Sequence, residues 1–253
     1  ISAKLGVPRL GKVSRFADRL EYIMQIAKQQ PITLFIDEFQ EFLRINASIY
    51  SDMQRIWDLH KNEVHINLIV GGSVQSLIHK IFESNKEPLY NRQTAIIRVN
   101  KFPPSVLKEI LAFHNPNYTQ DDLLALYSFT GGVAKYVELL MDKGATTRSK
   151  MIETIVQADS IFLSEGKNLL IEEFGKDYGI YFSILTAIAS GHTQRSQIED
   201  MIGKEIGGYL TMLEDSYGII HKHKPLFTTK NSNIHYRLND NFLTFWFRFL
   251  FKY

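Results

Sequence analysis

The chain has 253 residues, 45% of them hydrophobic, enough to bury a substantial core in one large or two ordinary domains. Its 29 basic and 27 acidic residues nearly cancel to +2, so no global field recruits nucleic acid and any DNA contact must be a local patch. The absence of cysteine excludes disulfides and thiolate metal sites and fits a reducing, cytoplasmic setting, and the best apolar run, Phe242 to Phe251, is about half the roughly 20 residues that a membrane span needs.

Residues 1–12, with Gly6, Pro8 and Gly11, read as a connector, and Ser14 is placed to cap a helix whose apolar residues Phe16, Leu20, Ile23, Met24 and Ala27 recur at helical spacing until Pro31. From Pro31 to Ile36 the chain is β-favouring and almost wholly apolar, then ends in two carboxylates, Asp37 and Glu38. Such a run predicts a strand buried on both faces of a parallel sheet. Its acids then stand at the carboxyl edge, where open α/β sheets bind ligands, although many strands end in an acid only because the chain is surfacing. Tyr50, Met53, Ile56, Trp57 and His60 mark a helix with Asp52 near its start, Val64 to Val70 a second strand closed by Gly71-Gly72-Ser73, and Val74 to Glu83 a further helix. After the turn Glu87 to Arg92, Thr94 to Val99 predicts a third strand, and three βα units in a row imply an open sheet with right-handed crossovers.

Beyond Phe102 the pattern turns helical. Pro103 and Pro104 open one helix, Asp121 and Asp122 another that stops at Gly131-Gly132, and Val133 to Leu140, Thr147 to Gln157 and Phe162 to Phe174 three more. In the last third, helices over Tyr181–Ala189, Ser196–Ile202 and Gly207–Leu213 precede two strands, Ile219 to Lys224 and His235 to Leu238, around Asn231-Ser232-Asn233. Ser196-x-x-Glu199 has capping-box spacing. Three helices and a hairpin form a winged-helix pattern, closed by the aromatic helix Phe242 to Phe251 with Phe245, Trp246 and Phe249 expected in a core or an interface. His60, His65, His79 and His114 lie scattered without metal-ligand spacing.

The apolar run ending Asp37-Glu38 resembles the Walker B element of P-loop ATPases, and the chain as a whole resembles the prokaryotic AAA+-related ATPases of the STAND group, found mainly in archaea and Bacteroidetes-like bacteria. The matching elements, in order, are the Walker B run with its Phe39-Gln40 tail, Gly71-Gly72-Ser73, Pro88 to Arg92, Phe129 to Tyr136 with its glycine pair, and Asn241 to Arg248. The resemblance implies an α/β fold: an incomplete P-loop ATPase-like parallel sheet over 1–102, a helical lid over 103–176, and a winged-helix domain with the aromatic helix over 177–253. It implies ATP and Mg²⁺ as ligands, with Asp37 for the metal, Glu38 for the attacking water and Arg92 as γ-phosphate sensor or arginine finger. Ser73 is then the polar sensor, and Gly131 and Gly132 border the nucleotide. Residue by residue, plainer roles stand beside these: Ser73 as cap of the helix at Val74, Arg92 as a surface ion-pair partner, the glycines as a helix stop.

The chain departs from the family in two places. It contains no Gly-x-x-x-x-Gly-Lys-Ser/Thr, the loop that cradles phosphates, which the resemblance places upstream of Ile1, and Ala134 stands where many relatives carry proline. A nuclease-like domain often follows the aromatic signature in the family. Three functions stay open: an ATP-binding and hydrolysing signalling ATPase, a non-catalytic protein-interaction scaffold, and a winged-helix DNA-binding regulator. The helix over 207–215 offers Glu214 and Asp215 and no base, while the hairpin carries Lys222, Lys224 and Lys230, so protein contacts or self-association through this module are favoured over DNA.

Overall fold

The computed structural model describes residues 15–224 and 234–251. They fall into two compact units that divide between Ile96 and Ile97.

The first unit begins with helix α1 (Phe16–Ala27), which buries Leu20, Met24 and Ala27 on one face. Its predicted cap, Ser14, lies outside the described residues, as does the connector before it. Strand β1 (Ile32–Ile36) follows, then a 3₁₀ turn (Phe39–Glu41), a short helix α2 (Phe42–Asn46), the longer α3 (Ser48–His60), strand β2 (Ile66–Val70) and helix α4 (Gln75–Glu83). Asp52 therefore sits in the second turn of α3 rather than at its start. The strands pair in parallel, Ile32 with Ile66 through Ile36 with Val70, as a crossover through helices requires.

Two expectations for this sheet are corrected. Among the described residues only one face of β1 is covered: Leu34, Ile36, Leu68 and Val70 pack on a core of Leu20, Met24, Phe39, Tyr50, Met53, Ile56 and Ile81. On the other face Phe35 is 57% and Ile69 42% exposed, because every described helix of the unit that packs on this core meets the same side. Nor do residues 94–99 form a third strand. No strand among the described residues pairs with them, and Ile97 and Val99 stand 88% and 96% exposed; β-branched composition makes a strand only where a neighbour offers its backbone.

The second unit is built on one continuous apolar core. It contains α5 (Pro104–His114), α6 (Gln120–Thr130), α7 (Ala134–Asp142), α8 (Arg148–Val156), α9 (Ile161–Phe174), α10 (Tyr178–Ala189), α11 (Arg195–Ile202) and α12 (Gly207–Thr211), which runs on as a π turn to Ser216. Strands β3 (Ile220–His223) and β4 (His235–Leu238) pair antiparallel, and α13 (Asn241–Phe245) continues as a second π turn to Leu250. The turn at 231–233 and Lys230 lie outside the described residues. Leu107, Leu126, Tyr136, Leu140, Phe162, Ile184, Leu213, Phe242 and Trp246 all belong to the same cluster, so the helices before residue 176 and those after it bury one another.

Local chemistry explains several boundaries. Thr119 caps α6, and Asp122 returns the bond to the Thr119 N–H at 2.8 Å, completing a capping box. The box expected at Ser196 and Glu199 is instead two residues earlier, where the Gln194 N–H donates to Gln197 Oε1 at 3.2 Å. Glu199 is drawn away because it accepts from Arg195 Nε at 2.7 Å and from the Ile206 N–H at 3.0 Å. Of the three aromatics predicted for core or interface, Trp246 is buried with its Nε1 donating to the Leu163 carbonyl at 3.1 Å. Phe245 is half-buried against Phe129, and Phe249 is exposed. No helix among the described residues is long and apolar enough to cross a membrane.

Candidate functional site

The ends of the two parallel strands are stitched together immediately beyond the sheet. The Gly71 N–H donates to the Ile36 carbonyl at 2.9 Å, and the Phe39 N–H donates to the Gly71 carbonyl at 2.8 Å. Phe39 is wholly buried, its ring against Tyr50, Phe42 and Phe82, while the Tyr50 hydroxyl donates to the Phe39 carbonyl at 2.9 Å. Burying that ring while the strand ends pushes the intervening backbone into a tight reversal. Glu38 takes it up with φ 47° and ψ 44°, a left-handed conformation that costs a residue with a Cβ roughly 1–2 kcal/mol. Strain of this kind persists only where the surroundings over-determine it, and it concentrates at functional positions.

The reversal exposes both carboxylates at the carboxyl edge. Asp37 Oδ1 accepts the Glu38 N–H at 2.9 Å. Glu38 Oε2 accepts from two neutral donors, the Gln40 side-chain amide and Ser73 Oγ, the latter at 2.9 Å across from the end of β2. Those two bonds, Gln40 first and Ser73 second, hold the Glu38 carboxyl below the usual glutamate range. Ser73 is thus not the cap of α4. The residue before that helix is Val74, which supplies no side-chain bond, and the serine hydroxyl turns toward the carboxylate instead.

Asp37, Glu38 and Ser73 are therefore brought together. Arg92 is not bonded to them: its Nη2 pairs with Asp58 Oδ2 at 2.7 Å, its Nε reaches both Asp58 oxygens at 3.2 Å, and its Nη1 donates to the Pro88 and Tyr90 carbonyls at 2.8 and 3.1 Å. That fork pins the turn before residue 93 onto α3 and holds the Asp58 carboxyl low.

Gly131 and Gly132 belong to the second unit. Gly131 ends α6 in the left-handed region at φ 59°, its N–H bonded to the Tyr127 carbonyl at 2.9 Å. Gly132, at φ 79°, lies under a crossing segment: a Cβ there would come within 2.2 Å of the Phe102 carbonyl oxygen, and the Phe102 N–H donates to the Gly132 carbonyl at 2.7 Å. A helix stop accounts for Gly131 and a backbone crossing for Gly132. In the same unit, Glu214 does not project from α12's π turn as an outward acid. It accepts the Lys222 backbone N–H at 3.1 Å and ion-pairs with the Lys222 ammonium, so one of the two closely spaced lysines of the hairpin is already neutralised.

Sequence reasoning gave Gln40 no role. It is 1% exposed, with its Nε2 on Glu38 and its Oε1 without a hydrogen-bond partner. The signal was present: a polar residue directly after an aromatic that must be core has to satisfy its amide locally.

Whether the acid pair suits a metal can be asked of the donors. Among the described residues no cluster of three or more His, Cys, Asp or Glu could cage a cation, and Glu38 has no cationic side-chain partner. One or two exposed carboxylates at a sheet edge are what Mg²⁺ uses when water and substrate phosphates fill its other positions, so Asp37 and Glu38 fit it.

No protein-family profile matches the chain. It is 28% identical over 250 residues to the uncharacterized protein MJECL04 of Methanocaldococcus jannaschii, an alignment covering 94% of this chain and 55% of that protein. The chain thus spans about half the length of this curated relative. Among solved structures it resembles the Walker-type ATPase PABY2304 of Pyrococcus abyssi with a TM-score of 0.67, at 16% identity, over 98% of this chain and 74% of that one. The chain shares the fold of that protein.

Proposed function

We propose that this chain is the acid-bearing part of an ATP-binding and ATP-hydrolysing protein of the AAA+-related STAND type. The observation that carries the proposal is the arrangement at the ends of β1 and β2: two exposed carboxylates, one in a left-handed turn and gripped from the neighbouring strand end, in a fold shared with a Walker-type ATPase. In that role Asp37 would hold Mg²⁺ and Glu38 would take a proton from the attacking water, while Ser73 fixes Glu38. Mg²⁺ would neutralise charge developing on the phosphates. Arg92 enters the same chemistry only by exchanging Asp58 for a phosphate, and Gly131-Gly132 only through backbone contact, so both come second to Asp37 and Glu38.

In domain terms we assign residues 1–102 to the nucleotide-facing sheet, 103–176 to a helical lid, and 177–253 to a winged helix. The pairing of Glu214 with Lys222 favours protein contacts or self-association over DNA for the last of these, since a lysine held by a carboxylate releases few counterions from a duplex. A purely structural scaffold is favoured by one observation, the commitment of Arg92 to Asp58.

Phosphate affinity in such sites comes mostly from a glycine-rich loop, and the strict Gly-x-x-x-x-Gly-Lys-Ser/Thr pattern does not occur in these 253 residues, where Gly6-x-x-x-x-Gly11-Lys12 is followed by Val13. Calorimetry with Mg·ATP tests the proposal: the full-length gene product should bind ATP, and more weakly when Mg²⁺ is chelated. No binding by the full-length product would contradict the ATPase assignment.

A further inference from the structure

The buried amide of Gln40 sits in a made-to-fit seat. Phe39 beside it is locked into the core, and Gly72 leaves the room on the other side: a Cβ at Gly72 would lie 2.2 Å from Gln40 Oε1 and 2.5 Å from Ile78 Cδ1. Nε2 points out of this seat to Glu38 Oε2 and stands 3.4 Å from Ser73 Oγ. The reverse orientation would set the amide oxygen against an ionised carboxylate, so the amide keeps Nε2 toward Glu38 even though Oε1 is left without a partner. The charged neighbours along the turn are Asp37 and Glu41, both acidic, with Arg44 engaged by Glu41 at 3.4 Å. No described ion pair steadies Glu38, and the neutral pair Gln40 and Ser73 does it alone.

We infer that Gln40 is a positioning residue for Glu38: from its buried seat it grips Oε2 together with Ser73 and holds the carboxylate at the strand edge. The use of that carboxylate to accept a proton from water rests on the ATPase assignment; the clamp itself does not. Gly72 is the clamp's structural partner, since any side chain there would evict the amide.

The test is heteronuclear NMR of the 253-residue chain labelled in its glutamine side-chain amides and glutamate carboxyl carbons, with the Gln40 amide identified by its loss in Gln40→Leu and the Glu38 carboxyl by its loss in Glu38→Gln. The Gln40 amide protons should be protected from exchange with water and show a hydrogen-bond coupling to the Glu38 carboxyl carbon. Gly72→Ala, which displaces the amide from the opposite side without touching its chemistry, should abolish the coupling and the protection. A freely exchanging, uncoupled Gln40 amide in the folded parent overturns the clamp, as does full protection that persists in folded Gly72→Ala. Nucleotide is not needed for this measurement. A coupled amide in a protein that never turns over ATP upholds the clamp and removes the ATPase assignment; turnover with an uncoupled amide removes the clamp alone. Where turnover exists, Gln40→Leu should lower kcat about tenfold with KM for ATP unchanged.

Discussion

Gly132→Ala separates a structural from a nucleotide-contacting role for the glycine pair. The φ of 79° is disfavoured for alanine by about 1 kcal/mol. The larger part of the cost is steric: the new Cβ would stand 2.2 Å from the Phe102 carbonyl oxygen, so the crossing segment must retreat by about 1 Å, an overpacking penalty of roughly 1–3 kcal/mol. Retreat also stretches the 2.7 Å bond from the Phe102 N–H to the Gly132 carbonyl, worth about 1 kcal/mol. Together these give about 4 kcal/mol. For a body of 150–250 residues that corresponds to a fall in Tm of about 8–16 °C. Urea unfolding followed by far-UV circular dichroism, read as a change in midpoint at constant slope, measures it directly without nucleotide. A variant within about 1 kcal/mol of the parent would refute the backbone-crossing account and return the glycines to ligand binding.

Asp122 is buried, and burial pushes its carboxyl up, but donors from the Thr119 N–H, the Arg148 N–H and the Thr119 hydroxyl outweigh burial and hold it below the usual range. A depressed carboxyl contributes stability that is present above the unfolded-state value of about 3.9 and is lost as pH falls through the folded-state value. Asp122→Ala should therefore cost about 3 kcal/mol at pH 7, from a lost capping box and two orphaned N–H groups, and progressively less as pH falls below the unfolded-state value; a cost that does not change with pH in urea melts would show the bonds are not what stabilises α6 and α8. His60 is buried with neither ring nitrogen hydrogen-bonded, the Glu21 carboxylate standing 4.0 Å away. Replacing it by leucine should stabilise the chain by about 1 kcal/mol, and destabilisation in the same melts would mean the imidazole has a partner that the packing argument misses.

The parallel pairing of β1 with β2 and the position of the acids at its end were legible because a short β-favouring run stopped by charge has few other uses. Which face of β1 is covered was not, since a continuous apolar run carries no alternation to say so, and Phe35 looks the same in sequence whether buried or open. Residues 94–99 failed for a related reason: their composition reports willingness to pair, not the presence of a partner. At the site, Asp37 and Glu38 could be named from the strand end, and Ser73 through the family resemblance. The partners that decide how those side chains behave are non-local. Gln40 reaches Glu38 only because Glu38 turns left-handed, and Arg92 finds Asp58 across 34 residues, geometry that no spacing rule encodes.

The central claim is that Glu38 at the end of β1 is the base of an ATPase, and one substitution tests it. Glu38→Gln preserves size and hydrogen bonding and removes the charge that takes the proton. In the full-length gene product it should leave ATP affinity intact while slowing steady-state hydrolysis by about two orders of magnitude or more. Turnover by Glu38→Gln equal to that of the parent protein would contradict the assignment of Glu38 as the base.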